Sequence, residues 1–284
     1  MAKDKKQLLE LIPKGYRLNL SDFALFLSVM KNKRAYECAL SIILDEPDLE
    51  LEEVKVEQVI LNKDGKRGIR LDAWAKDKKS RLFDMEMQKD IRGDDIPKRS
   101  RFYQGLLDTP ILKAGKSTKY RQLPSSIIIF ITHDDIWERD LARYTFTEQC
   151  EEIQGLRLGD GTTKIFLNMT GKKGSKELIS LLRYMNESTL ENPEILIIDE
   201  RLAELDKIVT EVKESEEWEA VQMTIMEIAM EKGLKQGIEQ GIEQEKFRLN
   251  LLNKKLLEEN RLDDLKRSIE DEGYQEKLCE EYSI

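Results

Sequence analysis

Two neighbouring segments of the chain alternate apolar and polar residues with a period of two, which is typical of β-strands covered on one face. In residues 68–75 the aliphatic side chains share one face and Asp72 points to the other. In residues 81–88, Glu86 and Gln88 share the face opposite the two methionines. The charged stretch between the segments predicts a tight turn. We therefore expect a hairpin that can place Asp72 near Glu86 on a common face.

The rest of the pattern predicts an α/β domain with a mixed sheet and flanking helices. The continuous apolar run at residues 127–131 indicates a strand buried on both faces, and it is the best candidate for the centre of the sheet. An Asp-Gly turn within residues 62–65 should join a first strand to the hairpin, whereas residues 137–151 are expected to cross irregularly. The other expected elements are helices in residues 21–30, 35–44, 97–108 and 176–184, and strands in residues 51–61 and 163–167.

The last part of the chain is predicted to be helical and separate, with residues 1–198 forming the α/β domain and residues 199–284 the helical region. Gly233, Gly237 and Gly241 recur every four residues in this region. Each glycine weakens a helix by about 1 kcal/mol, so the repeat indicates a low-complexity helix or a hinge, and a helix-pairing surface is the other reading. Two further amphipathic helices are expected, at residues 249–257 and 262–269.

Charge is distributed unevenly between these two parts. The whole chain of 284 residues has a formal net charge of −9. Residues 199–284 contain 24 acidic and 13 basic residues, a net charge of −11, which leaves +2 for residues 1–198. The first part can therefore carry a basic groove for DNA, and the helical tail could support a homo-oligomer.

Composition excludes several classes of protein. Charged residues make up 36% of the chain, and no apolar run approaches the roughly 20 residues that span a bilayer, so we expect a cytoplasmic protein with no membrane partner. The three cysteines are far apart in sequence and show neither a metal-ligand spacing nor a disulfide pattern. His133 is the single histidine, so a multi-histidine metal site is excluded, and a hydrolase using Cys150 with His133 has no supporting motif.

The hairpin carries the candidate chemistry. Two carboxylates a few ångströms apart repel each other unless a cation lies between them. Oxygen ligands favour Mg²⁺ or Mn²⁺ over zinc, so Asp72 and Glu86 are candidate metal ligands. The spacing alone is equally typical of solvated carboxylates on an exposed strand.

Basic residues follow the hairpin at the start of the next predicted helix. Lys98, Arg99 and Arg101 precede Tyr103, and arginine can bind a phosphate through two hydrogen bonds. These four residues are candidate contacts to nucleic acid. An exposed basic helix face with no ligand is the alternative.

In their order and content, these elements resemble the PD-(D/E)XK nuclease superfamily. Within it, the chain resembles the bacterial group of PD-(D/E)XK transposases, or recombination-promoting nucleases. The resemblance covers nearly the whole chain and implies a restriction-endonuclease-like core. It is carried by Leu71-Asp72-Ala73, Met85-Glu86-Met87-Gln88, the segment from Lys98 to Asp108, Ile129-Phe130-Ile131-Thr132 and the glycine repeat of the tail.

By this resemblance, Asp72 and Glu86 would hold Mg²⁺, with the main-chain carbonyl of Met87 as a further ligand, and the ion would activate water for attack on a phosphodiester. Gln88 stands where the superfamily's name has lysine. Glutamine cannot take a proton, so Gln88 would only orient water or phosphate. Some members add an acidic residue from the first helix, and Glu37 and Asp22 are both candidates.

The sequence therefore leads to two expectations. The first is a metal-dependent DNA endonuclease that promotes recombination or mobile-element transfer. The second is a weakly active or inactive nuclease-like fold that binds DNA or protein and acts through its helical tail.

Overall fold

The computed structural model describes residues 18–61, 68–112 and 119–284, so the predicted turn at residues 62–65 lies outside the described part. The described residues fall into two compact units, one ending at Glu219 and the other beginning at Ala220. The larger unit is an α/β domain with a mixed sheet and flanking helices, which confirms the expected α/β class.

A six-stranded mixed sheet forms the centre of the larger unit, with strand order β1-β2-β3-β4-β6-β5. The first three strands form an antiparallel meander, β4 and β6 run parallel to β3, and β5 is an antiparallel edge strand. The strands are β1 (Leu51–Ile60), β2 (Ile69–Asp77), β3 (Leu82–Gln88), β4 (Ser126–Thr132), β5 (Arg143–Phe146) and β6 (Thr162–Asn168).

Helices cover this sheet. All seven residues of β4 are buried, as expected for the predicted central strand. Proline favours the first turn of a helix, and Pro97 lies there in the helix that follows β3, while Asp95 caps it by accepting from the Lys98 amide. The helices are α1 (Phe23–Met30), α2 (Lys33–Leu44), α3 (Ile96–Asp108), α4 (Lys176–Asn186) and α5 (Glu200–Lys213), with a short 3-10 turn at Tyr120–Gln122.

One apolar cluster lies between α3 and the sheet, on the face that also carries Glu86. Tyr103 and Leu107 of α3 pack there against Phe130 of β4 and Phe166 of β6. The rings of Tyr103 and Phe130 have their centroids 5.9 Å apart. This packing fixes which side chains of α3 point toward the sheet.

Two features differ from the sequence prediction. Residues 137–151 are not wholly irregular, because they contain the edge strand β5. That strand is short and mostly exposed, so it lacks the alternating pattern of buried residues that identifies a strand in a sequence. In addition, α5 packs against α2, so the larger unit continues beyond residue 198, where the sequence alone set the limit.

The second unit is helical. Helix α6 (Glu216–Glu258) continues without a break through the glycine repeat, as the low-complexity-helix alternative predicted. It is followed by α7 (Leu262–Glu270) and by α8 (Glu272–Glu281), a helix that the sequence pattern did not reveal. Leu252 and Leu256 of α6 form a small core with Leu278 and Cys279 of α8. Within the described residues, no helix has both the length and the apolar character needed to cross a bilayer.

Candidate active site

Strands β2 and β3 separate at one end of their hairpin. Their ladder extends from the pair Lys76–Leu82 to the pair Ala73–Met85. Beyond it, the Asp72 amide donates to Glu86 Oε1 at 2.8 Å, and the Met87 amide donates to Asp72 Oδ2 at 3.1 Å. Each carboxylate therefore accepts a hydrogen bond from the other strand's backbone, and the structure brings Asp72 and Glu86 together.

A third carboxyl group, that of Asp84, lies on the same face. Asp84 is opposite Trp74 in the ladder and has no exposed surface. Neither of its side-chain oxygens has a hydrogen-bond partner among the described residues. The alternating pattern of residues 81–88 is consistent with this face for Asp84, but it carries no sign that the side chain is fully buried.

The three buried carboxyl groups have little nearby positive charge to stabilise their ionised forms. Burial raises the pKa of Asp72 to about 6. Burial, followed by the nearby charge of Asp72, raises the pKa of Glu86 to about 7. Burial and the charges of Glu86 and Asp72 raise the pKa of Asp84 well above its usual value. Such a concentration of buried acids is a common property of functional sites.

Arg99 is the cation closest to these acids. It lies on α3, and its guanidinium donates to Glu86 Oε2 at 3.1 Å, to Gln88 Oε1 at 2.7 Å and to the Tyr103 hydroxyl at 2.8 Å. It also lies over the Tyr103 and Phe130 rings. Arg99 is therefore an internal counter-ion of Glu86 rather than a free surface arginine.

The remaining basic residues predicted for the site point elsewhere. Lys98 and Arg101 are exposed on the outer side of α3, and the Lys98 ammonium pairs with Asp95 at 2.7 Å. Of the predicted contacts on α3, the structure thus brings Arg99 and Tyr103 to the carboxylates and leaves Lys98 and Arg101 on the surface.

The two acidic candidates of the first helices are placed differently. Asp22 forms an ion pair with Lys89 at 3.0 Å, one residue beyond the end of β3. Glu37 accepts from the Leu51 amide at 2.9 Å, and Leu51 is opposite Asp77, at the other end of β2. Asp22 is therefore at the carboxylate end of the hairpin, and Glu37 is not.

The donor set fits a hard divalent cation. In residues 18–61, 68–112 and 119–284, no three His, Cys, Asp or Glu side chains are grouped so that they could hold a metal ion. Magnesium, however, is commonly held by one or two carboxylates and completes its shell with water and substrate phosphate. The carboxylates of Asp72 and Glu86, which the two strands bring together, match the donor chemistry of that mode of binding.

The proposed alternative pair, His133 and Cys150, shows no sign of acting together. His133 Nδ1 contacts Asp134, and the Cys150 thiol donates to Glu152. Each contact is with a close neighbour in sequence, as expected of ordinary loop residues.

No family model, curated protein or solved structure matches this chain.

Proposed function

We propose that this chain is a Mg²⁺- or Mn²⁺-dependent endonuclease that hydrolyses phosphodiester bonds in DNA and thereby promotes recombination or mobile-element transfer. The supporting observation is the convergence of the Asp72 and Glu86 carboxylates where β2 and β3 separate. The order of two helices, a three-strand meander, α3 and a buried parallel strand also supports a restriction-endonuclease-like core.

In this proposal Asp72, Glu86 and the Met87 carbonyl would hold the ion. The ion would lower the pKa of a coordinated water and stabilise charge on the phosphate. Asp72 and Glu86 are preoriented, because each is fixed by a backbone amide of the opposite strand. Gln88 has no proton to exchange, so it would orient water or a phosphate oxygen through its amide.

The basic residues of α3 have two separate roles in this proposal. Arg99 lies against Glu86 and Gln88, so it is placed to contact the phosphate at the point of cleavage. Lys98 and Arg101 are exposed and would contact phosphates further along the backbone, which adds affinity without sequence preference.

One observation favours the second candidate function, a nuclease-like domain that binds DNA without cutting it efficiently. The guanidinium of Arg99 already pairs with Glu86, and Gln88 cannot serve as a general base. A chain whose counter-ion stays in place would bind nucleic acid but turn over slowly.

Plasmid nicking separates these two candidates. Purified protein is incubated with supercoiled DNA in Mg²⁺, Mn²⁺ or EDTA, and the variants Asp72→Asn and Glu86→Gln are compared with wild type. We expect metal-dependent nicking that falls at least a hundredfold in both variants.

The matched control is Asp77→Asn, which removes a buried carboxylate from the opposite end of the same strand. Equal nicking by wild type and both site variants would contradict the proposal. Tight DNA binding without any metal-dependent nicking would support the second candidate instead.

A further inference from the structure

A cleft lies beside α3, on the sheet face that carries Glu86, and its volume is about 280 Å³. Trp137, Phe146 and Phe166 contribute aromatic walls, and Lys164, Glu148 and Thr162 contribute polar groups. The edge strand β5, which carries Phe146, forms one side of this cleft. Neither the sequence motifs nor the proposed chemistry accounts for these residues.

The N-terminal turn of α3 lies between the cleft and the candidate active site, since Pro97 and Ser100 line the cleft and Arg99 contacts Glu86. Glu86, Phe130 and Phe166 are direct cross-strand neighbours on β3, β4 and β6. Adjacent strands are roughly 4.8 Å apart, so Phe166 is roughly 10 Å from Glu86 along this row. The rings of Phe130 and Phe166 are stacked with centroids 6.0 Å apart, and Arg99 lies over Phe130. Phe130 is fully buried beneath α3, so a DNA strand bound at the carboxylates would reach the cleft by crossing the first turn of α3, over roughly 10 Å.

The three aromatic rings pack against one another, and the exposed surface of Phe146 is the part of this cluster that is open to a flat ring. The Trp137 ring is edge-on to Phe166 and tilted to Phe146, with both pairs of centroids 4.9 Å apart. Phe146 remains 44% exposed, although it contacts both of the other rings. An exposed aromatic face beside a concave surface offers a stacking platform for a base.

The polar groups favour a neutral base over a phosphate inside the cleft. Glu148 would repel a phosphate there, but its carboxylate can accept from the amino group of a base. Lys164 is half-buried and lines the cleft, and although it interacts electrostatically with Asp160 it supplies a positive charge that can meet a phosphate at the edge. The charges thus match one nucleotide, with its base inside and its phosphate at the rim.

We propose that this cleft binds one unpaired nucleobase, so that the chain prefers single-stranded or locally unpaired DNA next to the cleavage point. This inference rests on the proposed nuclease function. A base inside a duplex cannot stack in the cleft unless it leaves its partner, and that step is costly.

Binding of fluorescent oligonucleotides tests this inference, with Asp72→Asn as the background and Ca²⁺ in place of Mg²⁺ so that no cutting occurs. A single strand should bind about tenfold more tightly than a duplex of the same sequence. When a single abasic site is moved along the strand, it should weaken binding about tenfold at the one position that occupies the cleft and have little effect at the others.

The variants Trp137→Leu and Phe146→Ser should each lose this preference for an intact base. Phe146→Ser matters most, because Phe146 is on an exposed edge strand and its loss should leave the fold intact. Tyr120→Ser, which removes an aromatic ring that is 85% exposed and does not line the cleft, is the control and should bind as wild type.

Equal binding by the Phe146→Ser variant and by its background, or indifference to every abasic position, would overturn the inference. The same holds for an effect seen only as a change in self-association, because a second copy of the chain would then be the occupant. Failure of the nuclease proposal is measured separately, as absence of metal-dependent nicking by wild type. The oligonucleotide-binding result can be interpreted whether or not nicking is observed.

Discussion

The two ends of the β2–β3 hairpin both combine carboxylates with an arginine, but they differ in how well the arginine is matched to the carboxylates. At the turn end, Arg81 donates to both carboxylate oxygens of Glu46, at 2.8 and 2.6 Å, and to Asp77 at 2.7 Å. These hydrogen bonds from Arg81 lower the pKa of Glu46. Two acids are thus matched by a guanidinium that donates from each of its three nitrogens.

At the open end, three buried acids share one arginine. Arg99 reaches only Glu86 among them, and its Nε has no hydrogen-bond partner in the described residues. The pKa values of Asp72, Asp84 and Glu86 are all raised. The comparison teaches that a carboxylate's burial alone does not indicate function. Buried carboxylates that lack nearby positive charge are more typical of functional sites, because such an arrangement does not stabilise the fold.

The largest effect is expected at the matched end. Replacement of Arg81 by methionine leaves the buried Asp77 carboxylate with a backbone amide as donor but no counter-ion, and should lower the free energy of unfolding by about 3 kcal/mol. Urea denaturation measures this value. The variant Arg99→Met, at the unmatched end, should lose less, because Glu86 can take up a proton instead. An equal loss in both variants would remove the distinction between the two ends.

The two ends should also respond to pH in opposite directions. Asp72 has a usual pKa of 3.8 and a raised value of about 6 in the fold, so the folded chain binds its proton more tightly. Its contribution to stability is therefore present at low pH and declines as pH rises from about 4 to 7, by about 3 kcal/mol. The lowered pKa of Glu46 gives stability that is lost as pH falls below its usual 4.5.

Unfolding of wild type, Asp72→Asn and Glu46→Gln across pH 3–8 in metal-free buffer checks these signs. Asp72→Asn should remove the decline between pH 4 and 7 and be more stable than wild type at pH 8. Glu46→Gln should remove only the loss of stability that occurs as pH falls below about 4.5. A wild-type decline that persists in Asp72→Asn would mean that Asp72 does not titrate in this range.

A smaller effect concerns the competition between Arg99 and a cation. Because Arg99 neutralises Glu86, the variant Arg99→Gln should bind Mn²⁺ about tenfold more tightly in the absence of DNA, as measured by calorimetry. Lys98→Gln, the exposed neighbour, should bind Mn²⁺ as wild type does. Weaker binding by Arg99→Gln would mean that Arg99 orients Glu86 rather than competing for it.

The smallest effect is expected on the outer side of α3. Lys98→Gln and Arg101→Gln should each weaken DNA binding less than tenfold, equally for unrelated sequences, and reduce the salt dependence by about one counter-ion. Anisotropy titrations at several salt concentrations measure this slope. Lys79→Gln, at the turn end, is the control, and an equal change in slope there would show that any surface cation has the same effect.

Much of the fold could be predicted from the sequence. The period of two in the hairpin and the apolar run of β4 are local signals, and both correspond to strands in the structure. The edge strand β5 gave no such signal because one side of it faces solvent and neither side is fully buried. Helix α8 was also missed, since it is amphipathic only with respect to α6, which is distant in sequence.

The candidate site was predictable in its position and not in its electrostatics. Alternation alone places Asp72 and Glu86 on one face of the hairpin. The inward direction of Arg99 and the outward direction of Arg101 depend on how α3 is rotated against β4, because residues two apart on a helix point to opposite sides. The burial of Asp84 likewise depends on the packing of α3, so no local pattern could reveal it.

The placement of β4 has a consequence for how the chain reaches its folded form. Strands β1 to β3 are neighbours in sequence and can pair early, whereas β4 must insert beside β3 and also pair with β6, and both pairings are parallel and distant in sequence. Until then its apolar run stays exposed, and such runs associate with one another. Refolding from denaturant should therefore lose protein to aggregation as the protein concentration rises. The fraction of chains recovered in the folded state should depend on the rate at which β4 inserts into the sheet.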